Sequence, residues 1–176
     1  MSKNPNMKNK QISAIETAKF FLSLDARRDY FVADEQAIKL NGISVPTVGN
    51  FRLNKLLHIA QMLHCAKHGD YLFSESLMAF EHGGIVYDIY RRFQFLVKQF
   101  DISKKITSPK QEFLTKIYHY FRSYSNKQLE DFVHEDPAWF LTWDKEKNGI
   151  KEMPRNQEMI AYYQQFASHV VEKIEI

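Results

Sequence analysis

Apolar residues recur at helical spacing through most of the chain. Ile15, Ala18, Phe21 and Leu22 follow Ser13, which stands three residues before Glu16 in a capping-box pattern, so a helix begins near Ser13 and ends before Asp29. The clearest stripe is Leu53, Leu56, Leu57, Ala60, Leu63 and Ala66. Asn50 suits its N-cap, Lys67 and His68 suit its negative end, and Gly69 stops it, which predicts a core helix over Phe51 to Lys67. From Val86 the positions Ile89, Tyr90, Phe93, Val97 and Phe100 predict another helix. Ser108-Pro109 opens the next, with Phe113, Leu114, Ile117, Tyr118, Phe121 and Tyr124 as its buried face. Ser125 with Gln128 forms a second capping box before Leu129, Phe132 and Val133, and His134-Glu135-Asp136-Pro137 ends that helix. Ala138 to Trp143 is a short aromatic segment. After Met153-Pro154 a last helix carries Ile160, Tyr163, Phe166 and Val170.

Two stretches break the rhythm. Tyr30 to Gly49 reads as a long loop, holding a short helix over Asp34 to Leu40 and a short strand around Ile43 to Val45, with Asn41-Gly42 as a turn signal. Tyr71 to Val86 fits a turn or small β-element. There Gly83-Gly84 permits positive φ and close backbone approach, setting the angle between the flanking helices. Asn148-Gly149 marks a further turn. The expectation is a mainly α, single compact domain of about six helices with room for one small β-hairpin, spanning residues 12–176 behind a flexible, polar tail at 1–11.

Composition narrows the class without changing that picture. A chain of 176 residues, 44% apolar and 26% charged, supports one domain with a real core. Its 14 Phe, 9 Tyr and 2 Trp point to a ring-built core or an aromatic binding surface. The net charge of +3, with local basic groups at Arg27-Arg28, Arg91-Arg92 and Lys104-Lys105, is too small to argue for nucleic acid. The single cysteine, Cys65, excludes an intramolecular disulfide framework and a cysteine-rich zinc site. No apolar run reaches the ~20 residues of a membrane span, and Met1 to Lys10 lacks a signal-peptide core, so a cytoplasmic protein is expected.

Candidate chemistry is sparse. His64 and His68, four apart, share a helix face, but Cys65 stands where a helical zinc protease needs Glu, and it points about 100° away from His64. The set reads as a polar helix face, with no metal or other cofactor. His134, Glu135 and Asp136 could supply acid–base groups near His82, but a His followed by acids and Pro is also ordinary helix-ending chemistry. Neither a phosphate-cradling glycine loop nor a nucleophile elbow occurs, so no enzyme is expected. Tyr87, Tyr90, Phe93 and Phe95 wrap around more than one helix face, and with Arg91 and Arg92 they have interface composition.

The residues then resemble a family. Arg52-Leu53-Asn54-Lys55-Leu56-Leu57-His58-Ile59-Ala60-Gln61 is similar to the K-L-Q-K-L-L-Y-Y-A-Q helix of Panacea-domain proteins, the SocA-like antitoxins that include phage-associated GepA-like proteins. Ala79 to Val86 resembles the family's A-W-x-x-G-P-V-V segment, with Phe73 before it and Tyr90 where a tyrosine follows. Thr17 to Leu22 resembles the first helix, and His134 to Trp139 the T-H-x-x-x-P-W segment. Phe80 in place of Trp, Gly84 in place of Pro, Ala138 between Pro137 and Trp139, and a longer loop over 29–49 depart from the pattern. The resemblance implies an antitoxin that binds a cognate toxin encoded beside it, and in the SocA case an adaptor delivering that toxin to a ClpXP-type protease. The expected partner surface is His82, Gly83, Gly84, Tyr87, Tyr90 and Arg91 with His134, Pro137 and Trp139. The alternative from another class is a DNA-binding regulator of its own operon, and a metal-dependent enzyme using His64, His68, His82 and His134 ranks below it.

Overall fold

The computed structural model describes residues 11–25, 29–32, 37–40, 43–46, 50–92, 106–143 and 150–176. The fold is mainly α and is arranged around one long helix, α3 (Asn50–His68). Before it come α1 (Ala14–Leu24), α2 (Asp29–Val32) and an antiparallel pair, β1 (Ala37–Leu40) with β2 (Ile43–Pro46). After it come β3 (Met78–Phe80), β4 (Gly83–Ile85), α4 (Tyr87–Arg92), α5 (Ser108–Phe121), α6 (Asn126–His134), α7 (Pro137–Phe140), β5 (Lys151–Glu152), α8 (Gln157–Phe166) and α9 (Ser168–Lys173). Strand β3 pairs antiparallel with both β4 and β5, giving the sheet order β4-β3-β5.

Both capping boxes form as the spacing required. Ser13 accepts the Glu16 backbone N–H while Glu16 reaches back to Ser13, and Ser125 with Gln128 does the same for α6. Pro109 sits in the first turn of α5, and Phe113, Leu114, Ile117, Tyr118 and Phe121 form the buried face there, with Tyr124 half-buried.

Three expectations need correction. Residues 37–40, read as the end of a short helix, are a strand, because they pair in register with 43–46 from Ala37↔Pro46 to Leu40↔Ile43. The same supposed loop contributes Tyr30 and Phe31 to the core, stacked edge-on against each other at 4.9 Å. The last helix is two, α8 and α9, which meet at Ala167, a residue fully buried and outside both. The expected tail over 1–10, the groups Arg27-Arg28 and Lys104-Lys105, the 34–36 part of the short helix, the turns at 41–42 and 148–149, and the helix positions Phe93 to Phe100 lie outside the described residues.

The largest departure concerns α3. The sequence reads as a core helix with one apolar stripe. Instead every residue from Leu53 to Cys65 is buried, because α1, α5, α6, α8, α9 and β4 all pack on it. A helix enclosed on all sides is ordinarily apolar all round. This one buries Asn54, Lys55, His58, Gln61 and His64 among its leucines, so each polar group must find a partner inside the protein.

Candidate functional site

Those partners are the chain's irregular segments. Gln61 Oε1 accepts the backbone N–H groups of Leu72 (2.9 Å) and Phe73 (3.2 Å), while its Nε2 donates to the Phe73 carbonyl at 3.2 Å. One side chain thus fixes the strand of chain leaving α3. Asn54 Oδ1 accepts Val86 N–H at 3.3 Å, and His58 Nδ1 accepts Gly84 N–H at 3.0 Å. The outer edge of β4 is therefore closed by helix side chains rather than by another strand.

His58 Nε2 in turn donates to Asp136 Oδ2 at 2.7 Å, and both side chains are fully buried. Asp136 caps α7 through the Ala138 N–H (2.8 Å) and accepts the Tyr163 hydroxyl at 3.0 Å. Burial, reinforced by the Asp136 charge and hydrogen bond, pushes the Tyr163 hydroxyl far above its usual pKa, so it stays a donor. A hydrolase His–Asp pair needs the imidazole nitrogen remote from the carboxylate free to take a proton from a nucleophile. Here that nitrogen holds a backbone N–H. The pair ties β4, α3, α7 and α8 together.

The two glycines are dictated by this closeness. Gly83 has φ +116, and a Cβ on it would lie 2.6 Å from Val133 Cγ2. A Cβ on Gly84 would lie 2.8 Å from Met153 Sδ and 3.0 Å from His58 Nδ1. Only glycine lets β4 lie this close to α3 and α6.

At the turn of the hairpin, Glu81 and His82 join β3 to β4. His82 Nδ1 donates to Glu130 Oε1 at 2.9 Å, and His134 Nε2 lies 3.8 Å from the same oxygen. Burial opposes ionisation of Glu130, but the His82 hydrogen bond and the charges of His82, His134 and Lys55 hold its pKa below the ordinary value. Burial lowers His134, against the pull of Glu130. The His134 ring stacks on Trp139 at 3.9 Å and 2° between planes, and Trp139 Nε1 donates to the Phe80 carbonyl at 2.7 Å. Phe80 packs near Tyr90 (5.5 Å) and Trp143 (6.4 Å), and Arg91 lies over the Tyr87 ring at 5.8 Å.

The segments singled out in the sequence therefore adjoin one another. His82, Gly83, Gly84, His134 and Trp139 meet at one corner, with Tyr87, Tyr90 and Arg91 following on α4 and Pro137 opening α7. Gly83, Gly84 and Trp139 are buried there, whereas Tyr87 is 44% exposed. Sequence reasoning missed Glu130, whose i,i+4 spacing to His134 was legible, and Phe140 and Leu141, which are 69% and 74% exposed. It also missed the His58–Asp136 bond, for which no local signal exists. Of the other candidates, Glu135 faces solvent, and Cys65 is buried with its thiol pushed up to about 12 by desolvation. Among the described residues no group of three or more His, Cys, Asp or Glu side chains is placed to hold a metal ion, and no helix is long and apolar enough to cross a membrane.

The segment running from Leu53 on α3 to Phe140 at the end of α7 contains the hairpin, the His58–Asp136 bond and the corner around Trp139. The family model for the antitoxin SocA-like Panacea domain matches residues 53–140. The chain belongs to this family. No curated protein and no solved structure matches it. The family is one of antitoxins, and its domain here is the central helix with the elements its polar side chains fasten.

Proposed function

We propose that this Panacea-domain protein is an antitoxin that neutralises a toxin encoded beside it by direct protein–protein binding. Membership of an antitoxin family carries the reading, and the corner formed by the hairpin, α4 and α7 supports it as the working surface. Among the described residues Tyr87, Phe140, Leu141 and Ile150 are the large apolar side chains left exposed, the first on α4 and the next two at the end of α7. Apolar and aromatic exposure of this kind, beside Arg91 and His82, has the make-up of an interface. His134 and Trp139 stiffen that surface from below, and Pro137, Gly83 and Gly84 shape it. Delivery of the bound toxin to a ClpXP-type protease is the route by which neutralisation becomes irreversible in this proposal.

The test is growth rescue in cells expressing the neighbouring open reading frame, with and without this protein, paired with a co-expression pull-down. Rescue with a recovered complex, both abolished by Leu141→Ser with the circular dichroism unchanged, is the expected result. A neighbour that is harmless on its own and is not recovered would remove the assignment. Rescue that persists when the protease subunits are deleted would remove the delivery step alone.

A further inference from the structure

The turn of the β3–β4 hairpin is seated on α6 and α7 by side chains. His82, whose side chain is 51% exposed, donates to Glu130 Oε1 at 2.9 Å, and Trp139 Nε1 donates to the Phe80 carbonyl at 2.7 Å. The His134 imidazole adjoins both ties. It lies flat on the Trp139 ring, and its Nε2 stops 3.8 Å from the Glu130 oxygen that His82 holds. That is too far for a hydrogen bond, and Nε2 is enclosed with no hydrogen-bond partner among the described residues.

One carboxylate at this corner faces three basic groups. Glu130 meets His82 and His134 and feels the Lys55 ammonium of α3. It can offset one positive charge, and any further one stays uncompensated in a partly buried place. Burial is the main influence on His134 and lowers its pKa; Glu130 and the Glu81 backbone pull upward, while Lys55 and His82 add to the lowering. With the turn seated, the ring is therefore neutral at neutral pH. A hydrated imidazole takes its proton near 6.5. The proton thus binds more readily to a form in which the turn has lifted and water reaches His134, so acid must favour the lifted form. The lift is local. Glu81 and His82 are already exposed, and lifting them gives up the bonds at Glu130 and at the Phe80 carbonyl. His58 and Asn54 keep their hold on Gly84 and Val86.

We propose that the hairpin turn is a proton-operated flap: when His134 takes up a proton, the turn unseats from α6 and α7 and frees the Trp139 indole N–H from the Phe80 carbonyl. That acid thereby withdraws the surface offered to a toxin rests on the antitoxin reading; the flap itself does not. The reporter is hydrogen exchange of the Trp139 indole N–H, followed by NMR in the full chain from pH 7.5 to 5.5 as protection relative to a free indole at the same pH. Protection should fall by up to about tenfold per pH unit below about 6.5, and by more than that of the α3 amides. His134→Phe keeps a ring on Trp139 and removes the titration, so its protection should be flat, and His134→Gln is a second non-titrating variant with a smaller side chain. His82→Gln retains a donor for Glu130 and should keep the pH dependence. Protection that ignores pH, that falls equally at Trp139 and along α3, or that still falls in both His134 variants would each overturn the proposal. A fall abolished by His82→Gln would overturn it too, by placing the switch on His82. No toxin enters the measurement, so its failure leaves the antitoxin reading standing, and a harmless neighbouring gene product leaves the flap standing.

Discussion

The inner face of α3 and the outer face of α7 break the usual division of side chains in opposite directions. Around α3 the protein buries Asn54, His58 and Gln61. On and just after α7 it leaves Phe140 and Leu141 in water. The first departure is resolved within the chain, since each of those polar side chains holds a backbone group of a neighbouring segment. The second is not resolved within the described residues. A buried polar group that is fully satisfied reports on how a fold is fastened. An apolar pair left exposed among the described residues has the make-up of a contact surface. The contrast separates residues that fasten the Panacea segment from residues that leave the described surface at its end apolar.

Removing the centre of the fastening should have the largest effect. Asp136→Ala leaves His58 Nε2, the Tyr163 hydroxyl and the Ala138 N–H without their shared acceptor, and should cost ~3–5 kcal/mol in urea denaturation. A loss below about 1 kcal/mol would show that the network does not hold the fold.

The next effect comes from pH, at His64, a buried polar residue of α3 whose Nε2 has no hydrogen-bond partner among the described residues. His64 ordinarily takes its proton near 6.5 and in the fold only near 4. Its folded pKa is depressed, so the unfolded chain binds the proton first as pH falls. Stability is therefore full above about pH 6.5 and should drop by up to about 3 kcal/mol on the way to pH 4. His68 and His134 are lowered too, so the informative quantity is the difference from His64→Gln, which should be flatter over that range. Parallel curves for the two proteins would assign the acid loss elsewhere.

Gly84→Ala tests the closeness of β4 to α3. The added carbon meets Met153 Sδ, which can move, and the His58 ring, which two hydrogen bonds hold. A cost of ~1–3 kcal/mol is expected, and a neutral result would mean the strand can withdraw without loosening His58.

Phe140→Ser with Leu141→Ser should change stability least, by ~0.5 kcal/mol or less each, since little of either side chain is buried. In a toxin-binding assay the same pair should lose ~2 kcal/mol or more if the exposed apolar surface carries the interface. A large stability loss with unchanged binding would invert the comparison with α3.

Much of this was legible before any coordinates. Both capping boxes, the proline-led start of α5, the extent of α3 to within one residue at each end, and the small β-element between Tyr71 and Val86 follow from signals contained within a few residues. The hairpin itself turns at Glu81-His82, however, and Gly83-Gly84 lie in β4. The ordered resemblance from Thr17 to Trp139 located the family and chose the segments that meet at the corner. The helix read into residues 37–40 failed because strand identity there depends on pairing with 43–46. The single last helix failed because its break at Ala167, a buried residue with φ −102 and ψ −1, has no proline or glycine to announce it.

What the sequence determined, then, is local: periodicity, caps and turns are contests among neighbours in the chain, and their outcome is written in a handful of consecutive residues. That α3 would be enclosed on every side from Leu53 to Cys65 was decided only by tertiary structure. A histidine at position 58 has the same local preferences on a solvated face as in a core. Only the arrival of Asp136, seventy-eight residues further on, and of the Gly84 N–H makes its burial affordable. The same packing decided that Trp139 turns inward while Phe140 and Leu141 stay outside.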